Sequence, residues 1–144
     1  MRRWTTLALA TALAVAMPVI ASAQYRDLDT ALSNLVRGFG DGDTQAITAG
    51  MSGGDGDKVQ LQFPGLIQQE GFFGRDQATY ILEQLFAKAK PTGFVQQHVE
   101  KVSNEAQYQI VGQWTVAGGA RTLYITLRNK NDKWSIVSLK SAGK

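Results

Sequence analysis

The chain has 144 residues, with 15 Lys and Arg against 12 Asp and Glu, one histidine and no cysteine. Disulfides, thiolate metal sites and thiol nucleophiles are therefore excluded, and the length suits a single domain. Two of the bases, Arg2 and Arg3, stand at the extreme N-terminus; without them the formal charge falls from +3 to +1, which gives no reason to invoke nucleic acid.

Arg2 and Arg3 precede an uncharged apolar run from Leu7 to Ala16, cut short by Pro18 and followed by Ala21-Ser22-Ala23. A basic start, a short apolar stretch and small residues ahead of a cleavage point are the layout of a secretory signal peptide. A membrane-spanning helix would need about 20 apolar residues. Residues 1–23 are accordingly read as a signal peptide cleaved after Ala23. Residues 24–144 form the mature domain, periplasmic or secreted, with no lipid-bearing cysteine and no transmembrane segment after cleavage.

Leu28, Ala31, Leu32, Leu35, Val36 and Phe39 recur at helical spacing and predict an amphipathic helix over Tyr25 to Phe39, with Gly38 and Gly40 at its C-terminal end. Asp43 is placed to cap a second, short helix running to Met51. After the glycine-rich turn Ser52 to Asp57, the alternation of Val59, Leu61 and Phe63 predicts a strand over Lys58 to Phe63. Leu66 to Phe73 is ambiguous between a short strand and irregular cover. A third helix is expected from Arg75 to about Lys88, stopped by Pro91. Four strands complete the chain: Phe94 to Val102, Gln107 to Val116, Arg121 to Arg128 and Lys133 to Lys140. Helices first and an antiparallel run last make an α+β domain with helices on one face of a curved sheet.

The Phe39-x3-Asp43 corner between two helices, then a strand, a third helix and a meander ending in Trp134-Ser135-Ile136, resembles the nuclear transport factor 2-like (SnoaL-like) superfamily. Within it, Gly74-Arg75-Asp76-Gln77-Ala78 through Leu85-Phe86, Phe94-x3-His98, Gln107 to Gly112 and Leu123-Tyr124-Ile125 are similar to a domain-of-unknown-function family of small exported bacterial proteins. The resemblance implies a cone whose mainly antiparallel sheet wraps about three helices and leaves a pocket at its open end. Superfamily members use that pocket as dehydratases, isomerases or hydrolases, or serve as binding and dimerisation modules, and fold alone selects none of these.

His98 is the one side chain that ordinarily titrates near neutrality. It falls on one strand face with Phe94, Gln96 and Glu100, and could act as a general base at the pocket with Glu100 or Tyr108 as its neighbour. Tyr80, Phe94, His98, Tyr108 and Trp114 are the candidate binding residues, since apolar pockets with few polar groups suit small ligands. The Asp-Gly-Asp stretches 41–43 and 55–57 lack the continuation of a calcium loop and read as turns and caps. Arg75-Asp76 reads as the start of a helix, its acid favoured by the dipole and its arginine solvated. Nine of the bases lie beyond Ala87, spread as on solvated strand faces. No metal or cofactor is expected. The reading is an exported domain that binds a small apolar ligand or a protein partner in its cone or through its sheet, as a monomer or homodimer. The alternative is a cone-fold lyase, isomerase or hydrolase with His98 as base. The two part on whether His98 points into an enclosed cavity within reach of an acid.

Overall fold

The computed structural model describes residues 27–54, 56–102 and 106–142; the signal peptide and its cleavage point lie outside them. The elements run α1 (Leu28–Asp41), α2 (Thr44–Thr48), β1 (Val59–Gln62), β2 (Gly71–Phe73), α3 (Arg75–Ala89), β3 (Gly93–Val102), β4 (Gln107–Val116), β5 (Gly119–Lys130) and β6 (Lys133–Ser141).

Asp27 starts α1 by accepting from the Thr30 N–H at 2.8 Å, and the left-handed Gly42 ends it by donating to the Gly38 carbonyl. The helix thus runs past Gly38 and Gly40, the glycines expected to stop it. Gly38 serves close approach instead: a Cβ there would stand 2.4 Å from Ile47 Cγ1, so its absence lets α2 fold back onto α1. Asp43 caps α2 through the Ala46 N–H at 3.3 Å and pairs with Arg37 at 3.5 Å.

The six strands form one mixed sheet in the order β2-β1-β6-β5-β4-β3, antiparallel except where β1 lies parallel to β6. Cross-strand partners share a face, so the register sorts the side chains. Phe94 opposite Trp114, Ile110 opposite Ile125, Tyr108 opposite Leu127 and Leu61 opposite Leu139 point to the helices. Val111 opposite Tyr124, and Gln60 opposite Ser138, point away. The α+β cone expected from the sequence is the fold observed, with the helices held in the hollow of the sheet.

That hollow is filled. Trp114 is 0% exposed, and its ring lies 5.6 Å from Phe39, 5.9 Å from Phe63 and 6.4 Å from Phe86, each edge to face. Such pairs add about 0.5–1.5 kcal/mol each beyond the area they bury. The Trp114 indole N–H donates to the Phe39 carbonyl at 2.9 Å, satisfying a group in the last turn of α1 that the helix ladder leaves without a partner. Gly112 fits beneath Phe94: a Cβ there would meet the Phe94 ring and the Val95 carbonyl at 2.6 Å.

Candidate functional site

Phe94 and Trp114 come together as cross-strand partners in the core, where they pack against Phe39. Tyr108 lies farther along the same sheet face, half-buried, with its ring 5.2 Å from that of Trp134. Tyr80 stands on the outside of α3, 59% exposed, its hydroxyl accepting from Gln84 Nε2 at 2.8 Å.

His98 does not share a face with Phe94 and Gln96, and the sequence expectation is corrected here. A bulge inserts Gln97 between Gln96, which opposes Gly112, and His98, which opposes Val111. The extra residue reverses the alternation, turning Val99 inward and sending His98 and Glu100 to the outer face. There His98 Nε2 lies 3.3 Å from Glu100 Oε1, the side chains 55% and 57% exposed. The neighbour foreseen for His98 is present, on an open surface.

A groove of about 360 Å³ opens at the end of the sheet where β1 and β6 begin. Parallel pairing of these strands starts at Gln60 with Ser138, so the first residues of β6 have no partner on the β1 side. The chain between α2 and β1 crosses this gap, tied down where the Ile136 N–H donates to the Gly50 carbonyl at 2.8 Å. A second bulge, at Val137 in the groove lining, breaks the register between β5 and β6. The buried side chains of Met51, Val59 and Ile136 line it, with Ser52, Asp57, Phe72 and Ser135 around them.

Four exposed cations stand around this groove: Lys58 before β1, Arg75 at the start of α3, and Arg128 and Lys130 near the end of β5. None of the four is in an ion pair among the described residues. Among the described residues the one carboxylate in the lining, Asp57, accepts a hydrogen bond from the Ser52 hydroxyl. The groove continues over the loop into a shallower hollow of about 390 Å³, where Gly74, Asp76 and Gln77 join Lys58 and Arg75. Tyr80, Phe94, His98, Tyr108 and Trp114 line neither space.

The four cations are scattered in the sequence, two before Ala87 and two beyond it, and that scatter reads as ordinary solvation. One local signal pointed to them: Arg128 and Lys130 alternate on a strand just before an Asn-Asp turn, so both face the same way. Among the described residues no three His, Asp or Glu side chains gather as a metal-ligand set.

The sequence profile of the domain of unknown function DUF4783 matches residues 32–141. No curated protein matches the chain. Among solved structures, a DUF4783 family protein from Bacteroides fragilis YCH46 is similar at 22% identity and a TM-score of 0.65, over 77% of this chain and 96% of that one. An NTF2-like protein of unknown function from Silicibacter pomeroyi DSS-3 is similar at 17% identity and a TM-score of 0.52, over 81% and 92%. A putative dehydratase of the NTF2-like family from Streptomyces avermitilis is similar at 14% identity and a TM-score of 0.57, over 81% and 92%. At these identities the likeness is one of fold.

Proposed function

The chain belongs to the DUF4783 family of domains of unknown function and has the nuclear transport factor 2-like fold, and from that premise we propose that it is an exported, non-catalytic binding domain whose ligand sits in the groove at the end of the sheet. The filled cone carries this reading. Five aromatic rings, Phe39, Phe63, Phe86, Phe94 and Trp114, are packed in the core between the helices and the sheet, where the resemblance to the superfamily implies a pocket. Binding in the cone would have to displace a packed core, whereas the groove is open and lined by side chains that need not move.

Export is proposed from the basic start, apolar run and Ala-x-Ala of residues 1–23. Among the described residues no helix is long and apolar enough to cross a membrane. The use of His98 as a general base is less well supported. A base needs to reach the substrate proton in a site that holds the substrate, and the His98–Glu100 pair stands on an open sheet face. That face also favours a second reading, association with another copy of the chain, because Val95 and Tyr124 are exposed there on β3 and β5, with Val111 of β4 opposite Tyr124 and diagonal to Val95.

Native mass spectrometry of the protein taken from the envelope of its own cells tests the proposal. A mass beginning at Gln24, with a small molecule co-purifying, is the expected result. An intact N-terminus with the protein in the cytoplasm would overturn the export reading, and light scattering that shows a strict monomer at high concentration would overturn the second.

A further inference from the structure

We infer that the groove takes a phosphate monoester carrying an apolar or ring-shaped organic part, an assignment that rests on the groove being the ligand site. Among the described residues its lining sets four cations against one carboxylate, and that carboxylate is already held by Ser52. A single carboxylate ligand would leave most of the positive charge unmatched. A phosphate monoester brings about −1.5 to −2 charges and three acceptor oxygens. Two of the cations are arginines, whose planar forks engage phosphate through paired hydrogen bonds, and they approach from different elements, Arg75 from α3 and Arg128 from β5.

The β5–β6 hairpin adds an independent observation. Lys130 lies directly opposite Lys133, and Arg128 follows two residues away on the same face. Like charges in cross-strand register repel and weaken a hairpin. Solvation of a strand edge calls for charges and does not call for these to oppose one another, whereas an anion at this end of the sheet relieves the repulsion. The organic part of the ligand has a surface to meet as well. Phe72 on β2 is 64% exposed in the groove wall, beside the buried apolar side chains of Met51, Val59 and Ile136.

Such a phosphate could belong to a soluble metabolite or to a lipid headgroup, and both sources present the same group to Arg75 and Arg128. The test is isothermal titration of the chain, expressed from its full sequence, with phenyl phosphate, inorganic phosphate and phenol. Sedimentation with phosphatidylcholine vesicles, with and without phosphatidic acid, accompanies it. Phenyl phosphate is expected to bind more tightly than inorganic phosphate, and phenol not to bind. Arg75→Gln and Arg128→Gln should each weaken phenyl phosphate about ten- to a hundredfold with unchanged urea unfolding midpoints, and Phe72→Ala should remove the advantage over inorganic phosphate. Sedimentation with phosphatidic acid vesicles alone, lost in Arg128→Gln, supports the assignment with a lipid source; binding of phenyl phosphate alone supports it with a soluble one. Equal binding of phenol and phenyl phosphate, or phenyl phosphate binding that ignores both arginine substitutions, overturns the phosphate assignment. If phenol then binds in the groove, the binding-domain reading survives. If no probe binds and no ligand co-purifies from the envelope, both fall.

Discussion

Replacing Trp114 by Phe tests whether the cone interior is a packed core or a ligand pocket. The substitution removes the indole N–H that holds the Phe39 carbonyl at 2.9 Å. Because Trp114 is fully buried, that carbonyl is left without a partner and out of reach of water, at a cost of about 1–3 kcal/mol. The missing part of the ring system costs about 1–2 kcal/mol more in lost burial and unfilled volume among Phe39, Phe63 and Phe86. The expected loss is therefore about 2–5 kcal/mol, a large share of the 5–15 kcal/mol typical of a domain. Urea unfolding followed by far-ultraviolet circular dichroism measures it as a lower midpoint at constant slope. Tyr80→Phe, on the exposed side of α3, is the control and should change stability by no more than about 0.5 kcal/mol. Were Trp114 a pocket wall, water would take over the Phe39 carbonyl, so a loss below about 1 kcal/mol would refute the packed-core account.

Three further substitutions probe separate parts of the argument. Gly112→Ala should destabilise by about 1–3 kcal/mol in the same assay, since the new methyl meets the Val95 backbone carbonyl as well as the Phe94 ring. His98→Ala should change stability by less than about 1 kcal/mol, as befits an exposed side chain whose partner Glu100 is exposed too, and should leave phenyl phosphate affinity unaltered in titration. Lys133→Glu should stabilise the β5–β6 hairpin by up to about 1 kcal/mol by turning a like-charge pair with Lys130 into an opposite-charge one, and should weaken phenyl phosphate binding at the same time. A loss of stability in that last variant would contradict the repulsion assigned to the pair.

Local patterns carried much of the fold. Alternation of Tyr108, Ile110, Gly112 and Trp114 placed β4 at the bounds observed, and Asp43 caps α2 as its position foretold. The remainder was set by contacts between distant segments. The face of His98 depends on Gln97 bulging out of β3; Gln96, Gln97 and His98 are polar in succession, and a strict period of two carried through them puts His98 on the wrong side. Only Gly71 to Phe73 of the ambiguous stretch became strand, because it pairs with β1, while the parallel contact of β1 with β6 joins segments far apart in the chain. The groove has the same origin. Lys58, Arg75, Arg128 and Lys130 meet only after β1 docks beside β6 and α3 begins where β2 ends, a convergence that no spacing along the chain expresses.

The most direct test of the account is to map amide and indole chemical shifts by proton–nitrogen correlation spectroscopy as phenyl phosphate is added. The account predicts shifts at Lys58, Phe72, Arg75, Arg128 and Lys130, with the Trp114 indole N–H unmoved in its bond to Phe39. Shifts centred on Trp114, Phe94 and Phe63, with the groove residues silent, would contradict it.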